Sequence, residues 1–226
     1  MKYKCLILDH DDTVVNSSAV IHYPSFIEYV KVARPHLAEN YTFEDFLRKN
    51  FTPGILSLFT DELGLNEREL DEEQAFWTEF VHTRVPRAYE GIRELIRDFK
   101  AAGGIVAVSS HSMNEFIERD YRENDLPSPD AIFGWDLPRD KRKPSTYTVD
   151  ELIRIYGFDK SEILMVDDLK PGFDMARAAG IDFAAAGWGY DVKEIRDFMT
   201  EHSDFYLESV AELRELVFGS DETNQA

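Results

Sequence analysis

Residues 6–15 read LILDHDDTVV: an apolar run, then three aspartates within four positions, then a threonine. Carboxylates this close repel one another by about 3 kcal/mol per pair at about 5 Å and an effective dielectric near 20. An apolar run of this length is typical of a buried strand. The stretch therefore predicts a strand whose end carries a site for a positive ion.

Length and charge limit what the chain can be. Its 226 residues leave room for one large domain, or one domain with a modest insertion. The 44 acidic and 25 Lys and Arg residues give a net charge of −19, which repels nucleic acid and anionic membranes. No apolar run approaches the roughly 20 residues of a membrane span, and one cysteine, Cys5, allows no internal disulfide. We expect a soluble, cytoplasmic protein that binds neither nucleic acid nor membranes.

Strand-like and helical segments alternate along most of the chain. The apolar runs YKCLIL, GIVAVSS, DAIFGW, EILMVDD and DFAAAGW have strand length. Between most of them lie helical patterns, the clearest with Ile92, Leu95, Ile96 and Phe99 on one face. This alternation predicts an α/β fold with a parallel sheet covered by helices on both faces.

Residues 16–85 interrupt the alternation. They contain four helical stripes and no convincing strand. The stripes are Phe26, Ile27, Val30 and Ala33; Phe43, Phe46 and Leu47; Ile55, Phe59 and Leu63; and Trp77, Phe80 and Val81. We predict a four-helix cap domain over residues 16–85, a core of residues 1–15 and 86–218, and a disordered tail at 219–226.

Polar residues follow the predicted strands where ligands bind in open α/β sheets. The first strand leads into Asp9, Asp11 and Thr13, the second into Ser109 and Ser110, and the fourth into Asp167 and Asp168, while Lys143 precedes a helical segment. Several carboxylates with spare negative charge suit Mg²⁺, which binds through a few carboxylates and substrate phosphate. A hydroxyl and an ammonium could hold phosphate oxygens, so the set indicates phosphoryl transfer.

The same residues resemble the four-part signature of the haloacid dehalogenase superfamily. Asp9, Asp11 and Thr13 match its Asp-x-Asp-x-Thr motif, and Ser109 matches the Ser or Thr at the end of a strand. Lys143, followed by Pro144, matches the third motif, and Asp167 with Asp168 matches the final acidic pair. The resemblance spans nearly the whole chain and implies a Rossmann-like, three-layer core with a helical cap between the first and second motifs.

The resemblance also implies roles. Asp9 would be the nucleophile that becomes phosphorylated, and Asp11 the general acid and base. Ser109 and Lys143 would hold the phosphoryl group, with Ser110 a further phosphate-binding candidate. Mg²⁺ would bind Asp9, the backbone carbonyl of Asp11, and Asp168, with Asp167 bound directly or through water.

Three functions fit these residues. The preferred one is a phosphatase of small phosphorylated metabolites that resembles phosphoglycolate phosphatases and acts as a monomer or weak homodimer. The first alternative is a phosphotransferase similar to phosphoglucomutases. The second is a signalling receiver domain, which is disfavoured because GIVAVSSHS lacks the aspartate that receivers phosphorylate on a later strand.

Smaller expectations concern individual residues near the motifs. Asp12 stands where the family has glycine, and it should tolerate the unusual backbone angles of the turn. His10 should pack in the interior, and Ser112 with Glu115 should form a helix capping box. The candidates for substrate specificity are His22, Tyr23, Lys49 and Asn50.

Overall fold

We describe a computed structural model that covers residues 1–219. The prediction of a disordered tail concerns residues that, after Gly219, lie outside this range. Within the range, no helix is both long and apolar enough to cross a membrane.

Six parallel strands form one sheet in the order β3-β2-β1-β4-β5-β6. The strands are β1 (Cys5–Leu8), β2 (Ile105–Ser109), β3 (Ala131–Phe133), β4 (Ile163–Asp167), β5 (Asp182–Ala186) and β6 (Phe205–Leu207). The first five lie within the predicted runs, which confirms the α/β fold class. Strand β6 was not predicted, because three residues at a sheet edge are too few to show a strand period.

Helices cover both faces of this sheet. The core helices are α5 (Ile92–Ala101), α6 (Asn114–Glu123), α7 (Tyr147–Tyr156), α8 (Lys170–Ala179), α9 (Lys193–His202) and α10 (Val210–Phe218). In β1, Cys5 and Ile7 pack on one face while Leu6 and Leu8 pack on the other, as the two-residue strand period requires. The stripe predicted for α5 is fully buried, so this helix packs as expected.

The segment between β1 and α5 is helical, as predicted. It comprises a π-helical turn at Ser18–His22, α1 (Tyr23–Ala33), a 3₁₀ segment at Pro35–Asn40, α2 (Phe43–Phe51), α3 (Ile55–Ser57), a π-helical turn at Leu58–Glu62, and α4 (Glu67–His82). The predicted third helix is therefore only a short α-helical segment followed by a π turn. Leu58 and Leu63 are both buried, and the Leu63 N–H donates to the Leu58 carbonyl five residues earlier, as in a π-helix.

The segment that follows β1 and the segment that precedes α5 lie side by side. Val15 forms an antiparallel bridge with Ala88, and the Tyr89 N–H donates to the Val14 carbonyl at 3.0 Å. These bonds anchor both ends of the helical segment beside the carboxyl end of β1. The division into a core of 1–15 and 86–218 and a cap of 16–85 stays a prediction.

Candidate active site

The two acidic motifs meet at the carboxyl ends of neighbouring strands. Asp9 directly follows β1, and its N–H donates to the Val166 carbonyl of β4 at 2.8 Å. Asp167 ends β4 and Asp168 follows it. Carboxylate oxygens of Asp9, Asp167 and Asp168 lie within 4.8 Å of one another, and all three residues are buried. The predicted convergence of these aspartates is confirmed.

Lys143 bridges two of these carboxylates. Its Nζ donates to Asp9 Oδ1 at 2.6 Å and to Asp167 Oδ2 at 2.5 Å. Burial raises the pKa of Asp167 to about 6 although Lys143 acts to lower it. Burial lowers the pKa of Lys143, but the two carboxylates outweigh burial and raise it overall, so the amine is charged. The Lys143 ammonium thus forms ion pairs with two buried carboxylates.

Within residues 1–219, the donors to the Asp168 carboxylate are hydroxyl groups. Tyr190 Oη donates to Asp168 Oδ2 at 2.8 Å, and Thr13 Oγ1 donates to Asp168 Oδ1 at 3.3 Å. Burial, followed by repulsion from Asp167, raises the pKa of Asp168 well above its ordinary value. Three carboxylates and one ammonium leave this cluster short of positive charge. Hard oxygen donors in this arrangement fit a divalent cation such as Mg²⁺.

The Asp11 carboxylate accepts hydrogen bonds from residues other than Lys143. Its Oδ1 lies 2.9 Å from His22 Nε2, and its Oδ2 accepts the Ser112 hydroxyl at 2.6 Å. Burial raises the pKa of Asp11, but His22 and Ser112 outweigh burial and hold it well below the ordinary range. Trp77 Nε1–H donates to His22 Nδ1 at 3.0 Å. Because an indole N–H can only donate, the His22 proton lies on Nε2 and points at Asp11.

The capping role predicted for Ser112 is wrong. The N-cap residue of α6 is Met113, and the Asn114 N–H at the start of this helix donates to Asp136 Oδ2 at 2.7 Å rather than to Ser112. The Ser112 hydroxyl points instead to Asp11, which lies 101 residues earlier in the chain. The local Ser-x-x-Glu pattern could not show this, because the competing acceptor is brought close only by the pairing of β1 with β2.

The two serines at the end of β2 lie beside the cluster without lining the cavity above it. Ser109 Oγ is 3.3 Å from Thr148 Oγ1 of α7. Ser110 Oγ accepts the Ser112 N–H at 3.0 Å and lies 3.5 Å from Asp11 Oδ2. Both residues are buried next to the aspartates, as strand order predicted, but their hydroxyls are engaged by the protein.

Two expectations for residues near the motifs, Asp12 and His10, are confirmed. Asp12 has a φ of 55°, the left-handed conformation that the turn after β1 requires. His10 is buried, with Nε2 3.1 Å from Asp120 Oδ2, and so has a packing role. At Gly172, a Cβ atom would overlap the Asp167 side chain. Asp167 in its present position therefore excludes a side chain at position 172.

A cavity of about 220 Å³ lies between the cluster and the helical segment. Its floor contains Asp9, Asp11, Asp167, Asp168 and Lys143. Its roof contains Ser18, His22, Phe26, Phe46, Asn50, Ile55, Phe59, Glu73, Gln74 and Trp77. Two of the four specificity candidates, His22 and Asn50, line it. Lys49 instead pairs with Glu62, and the Tyr23 hydroxyl donates to the Tyr41 carbonyl.

Two residues near the site, Tyr190 and Glu73, were not predicted from the sequence. Tyr190 follows the end of β5, so the rule that ligands gather at the carboxyl ends of strands could have identified it. Glu73 lies within the charged run of α4, and nothing in that run distinguishes it from its neighbours. Only its position in the roof of the cavity does so.

The family model and the curated relatives that match this chain point to one family. The family model of haloacid dehalogenase-like hydrolases matches residues 6–186. A phosphoglycolate phosphatase from Mesorhizobium japonicum is 32% identical over 120 residues, which make up 50% of this chain and 49% of that protein. The chain thus aligns with about half the length of this relative.

Solved structures share the fold. A haloacid dehalogenase-like family hydrolase from Streptococcus pneumoniae is 14% identical with a TM-score of 0.71, and the match covers 96% of this chain and 99% of that one. A hydrolase of the same family from Deinococcus radiodurans, whose structure holds phosphate and sodium, is 19% identical with a TM-score of 0.67 and coverages of 96% and 95%.

Proposed function

The chain belongs to the haloacid dehalogenase-like hydrolases, and we propose that it is a Mg²⁺-dependent phosphatase of small phosphate monoesters, similar to phosphoglycolate phosphatases. The observation that carries the proposal is the buried set of Asp9, Lys143, Asp167 and Asp168 at the floor of a cavity roofed by the helical segment. The curated relative named above supports the choice of a phosphatase.

In this proposal Asp9 performs the first displacement. An Asp9 carboxylate oxygen bonds to phosphorus, the ester P–O bond breaks, and Asp11 gives a proton to the departing alcohol oxygen. Water then attacks the phosphorus of the aspartyl phosphate, Asp11 takes a proton from that water, and inorganic phosphate is released. The low pKa of Asp11 suits the second step, in which its carboxylate takes a proton from water. For the first step Asp11 would have to bind a proton on substrate binding, which the negative charge of the nearby phosphate would favour.

Lys143 would hold the phosphoryl group next to Asp9, since its ammonium already touches that carboxylate. Ser109 and Ser110 remain candidates for the same task, which would require their hydroxyls to exchange Thr148 and Ser112 for phosphate. Mg²⁺ would be held by Asp9, Asp168 and the backbone carbonyl of Asp11, with Asp167 direct or through water. When bound, the ion would supply the positive charge that offsets the carboxylates and the incoming phosphate.

The proposed setting follows from the same features. The cavity is small and roofed, so the partner is a small phosphorylated metabolite rather than a phosphoprotein. The net charge of −19 argues against nucleic acid. We place the activity in the cytoplasm and assign it to a monomer or weak homodimer.

Phosphate release from a panel of phosphorylated metabolites, with purified full-length chain, tests the activity. Chelation should abolish turnover and Mg²⁺ should restore it, whereas Ca²⁺, which prefers more ligands and looser geometry, should support it poorly. A folded phosphoprotein should not be hydrolysed because it cannot enter the cavity. Full activity after exhaustive chelation would contradict the proposed metal dependence. Phosphate release from the phosphoprotein at a rate comparable to that from small esters would contradict the proposal that the roof excludes large substrates.

A further inference from the structure

Glu73 is a buried carboxylate to which residues 1–219 offer no hydrogen bond or ion pair. Its side chain projects from α4 into the roof of the cavity, and the residue is 9% exposed. Buried carboxylates are normally paired, because an ion removed from water loses its solvation. Burial accordingly raises the pKa of Glu73 to about 7, against a small lowering effect of His22.

The cations of the cavity are already engaged elsewhere. Among the described residues that line it, only Lys143, His22 and His111 can carry positive charge. Lys143 contacts Asp9 and Asp167, and His22 Nε2 lies 2.9 Å from the Asp11 carboxylate, so both groups already pair with aspartates. Burial and the nearby Lys143 lower the pKa of His111, which favours its neutral form. The cavity therefore has no cation to receive a second anionic group of a substrate.

The roof that holds Glu73 also carries a group of apolar and aromatic side chains. Phe26, Phe46, Ile55, Phe59 and Trp77 line the same cavity. Aromatic faces attract ammonium groups through their negative quadrupole, and aliphatic carbon packs well against them. A carboxylate in one cavity with such side chains is the arrangement that recognises an ammonium group on a short carbon chain.

We infer that Glu73 is the specificity-determining residue of this site and that the substrate is the phosphate monoester of an amino alcohol. The phosphate would lie on Asp9 and Lys143, and the ammonium would pair with Glu73 at the other end of the cavity. The inference rests on the proposed phosphatase activity and deepens it. It separates this chain from an enzyme that acts on phosphoglycolate, whose carboxylate would meet Glu73 as a like charge.

Three series of esters test the inference: ω-aminoalkyl, n-alkyl and ω-carboxyalkyl phosphates with two to six carbons. Wild-type chain with Mg²⁺ should show a kcat/KM at least 10-fold higher for the best aminoalkyl ester than for the alkyl ester of equal length. The carboxyalkyl esters, phosphoglycolate among them, should be the poorest substrates. The length series is needed because the best chain must span the cavity from Asp9 to Glu73.

Two variants of α4 assign the preference to one carboxylate. Glu73→Gln should lower the ratio of aminoalkyl to alkyl kcat/KM by 10- to 100-fold, whereas Glu72→Gln, an exposed neighbour outside the cavity, should leave the ratio unchanged. Because both rates come from one preparation, a partly unfolded variant changes the two rates equally and the ratio stays valid.

The outcomes separate the inference from the proposed function. Hydrolysis of alkyl or carboxyalkyl esters as fast as aminoalkyl esters would overturn the inference and leave the phosphatase intact. An aminoalkyl preference that survives Glu73→Gln would overturn the assignment to Glu73. If no ester in any series, nor an activated acyl phosphate, releases phosphate, the proposed function itself is wrong.

Discussion

The floor and the roof of the cavity differ in the partners that they provide for buried carboxylates. On the floor, Asp9 and Asp167 share Lys143, Asp11 accepts bonds from His22 and Ser112, and Asp168 accepts two hydroxyls. In the roof, Glu73 has no such partner within the described residues. The floor meets the phosphate, which every substrate shares, whereas the roof meets the part that differs between substrates. On the floor, where every substrate places its phosphate, the protein itself provides partners for the buried carboxylates. In the roof, where substrates differ, the partner of Glu73 would come from the ligand.

The largest expected effect comes from removing the nucleophile of the floor. Asp9→Asn should abolish turnover and leave no covalent species, because an amide oxygen is a poor nucleophile. Rapid acid quenching of wild type with an acyl phosphate should trap phosphate on Asp9, visible by mass spectrometry as a hydroxylamine-labile adduct. Label on Ser109, or substantial turnover by Asp9→Asn, would contradict the mechanism. An adduct that never releases phosphate would instead support the receiver alternative.

Asp11→Asn should have the next largest effect. General acid–base groups contribute about 10²- to 10⁴-fold, so kcat should fall within that range while the Asp9 nucleophile and its Lys143 contact remain. Dephosphorylation should limit the rate with an activated ester, and the Asp9 adduct should accumulate in stopped reactions. A variant with wild-type kcat would remove Asp11 from the reaction.

Glu73→Gln should show that the roof carboxylate costs stability. The pKa of Glu73 is raised from about 4.5 to about 7, so the folded state binds this proton more tightly than the unfolded state. Wild type therefore loses stability as pH rises through this window, by up to about 3 kcal/mol, and Glu73→Gln does not. Urea unfolding at pH 5 and pH 8 measures the difference, with Glu72→Gln as the control. An equal difference between wild type and Glu73→Gln at both pH values would show that Glu73 is compensated in the fold.

Ser112→Ala should have the smallest effect. It removes a 2.6 Å hydrogen bond to the Asp11 carboxylate, and such bonds contribute about 1.5–3 kcal/mol. We expect kcat to fall about 10-fold, near the lower end of that range, because His22 still holds Asp11. Ser25→Ala is the matched control, since the Ser25 hydroxyl is buried without a hydrogen-bond partner in the described part of the chain. If Ser112→Ala lowered the free energy of unfolding but left kcat unchanged, Ser112 would have a structural role only.

Local sequence pattern was sufficient for the fold class and for the aspartates of the floor. The alternation of apolar runs with helical stripes carries the strand and helix periods directly, and strand ends place Asp9, Asp167 and Asp168 at one edge of a parallel sheet. The turn at Asp12 and the buried stripe of α5 follow from equally local rules. Each of these predictions depends on neighbours within a few residues.

Tertiary structure alone decided the partners of those residues. Ser112 fits a helix cap in the sequence, yet its hydroxyl bonds to Asp11 because β1 and β2 are adjacent. The helical stripe of this segment has a spacing of four residues, which predicts an α-helix and not the π turn that is present at Leu58–Glu62. Glu73 is one acid among several on α4 until folding places it, without a partner among the described residues, above the floor. The energy of a buried charge depends on what surrounds it in space, and that environment comes from segments far apart in the chain.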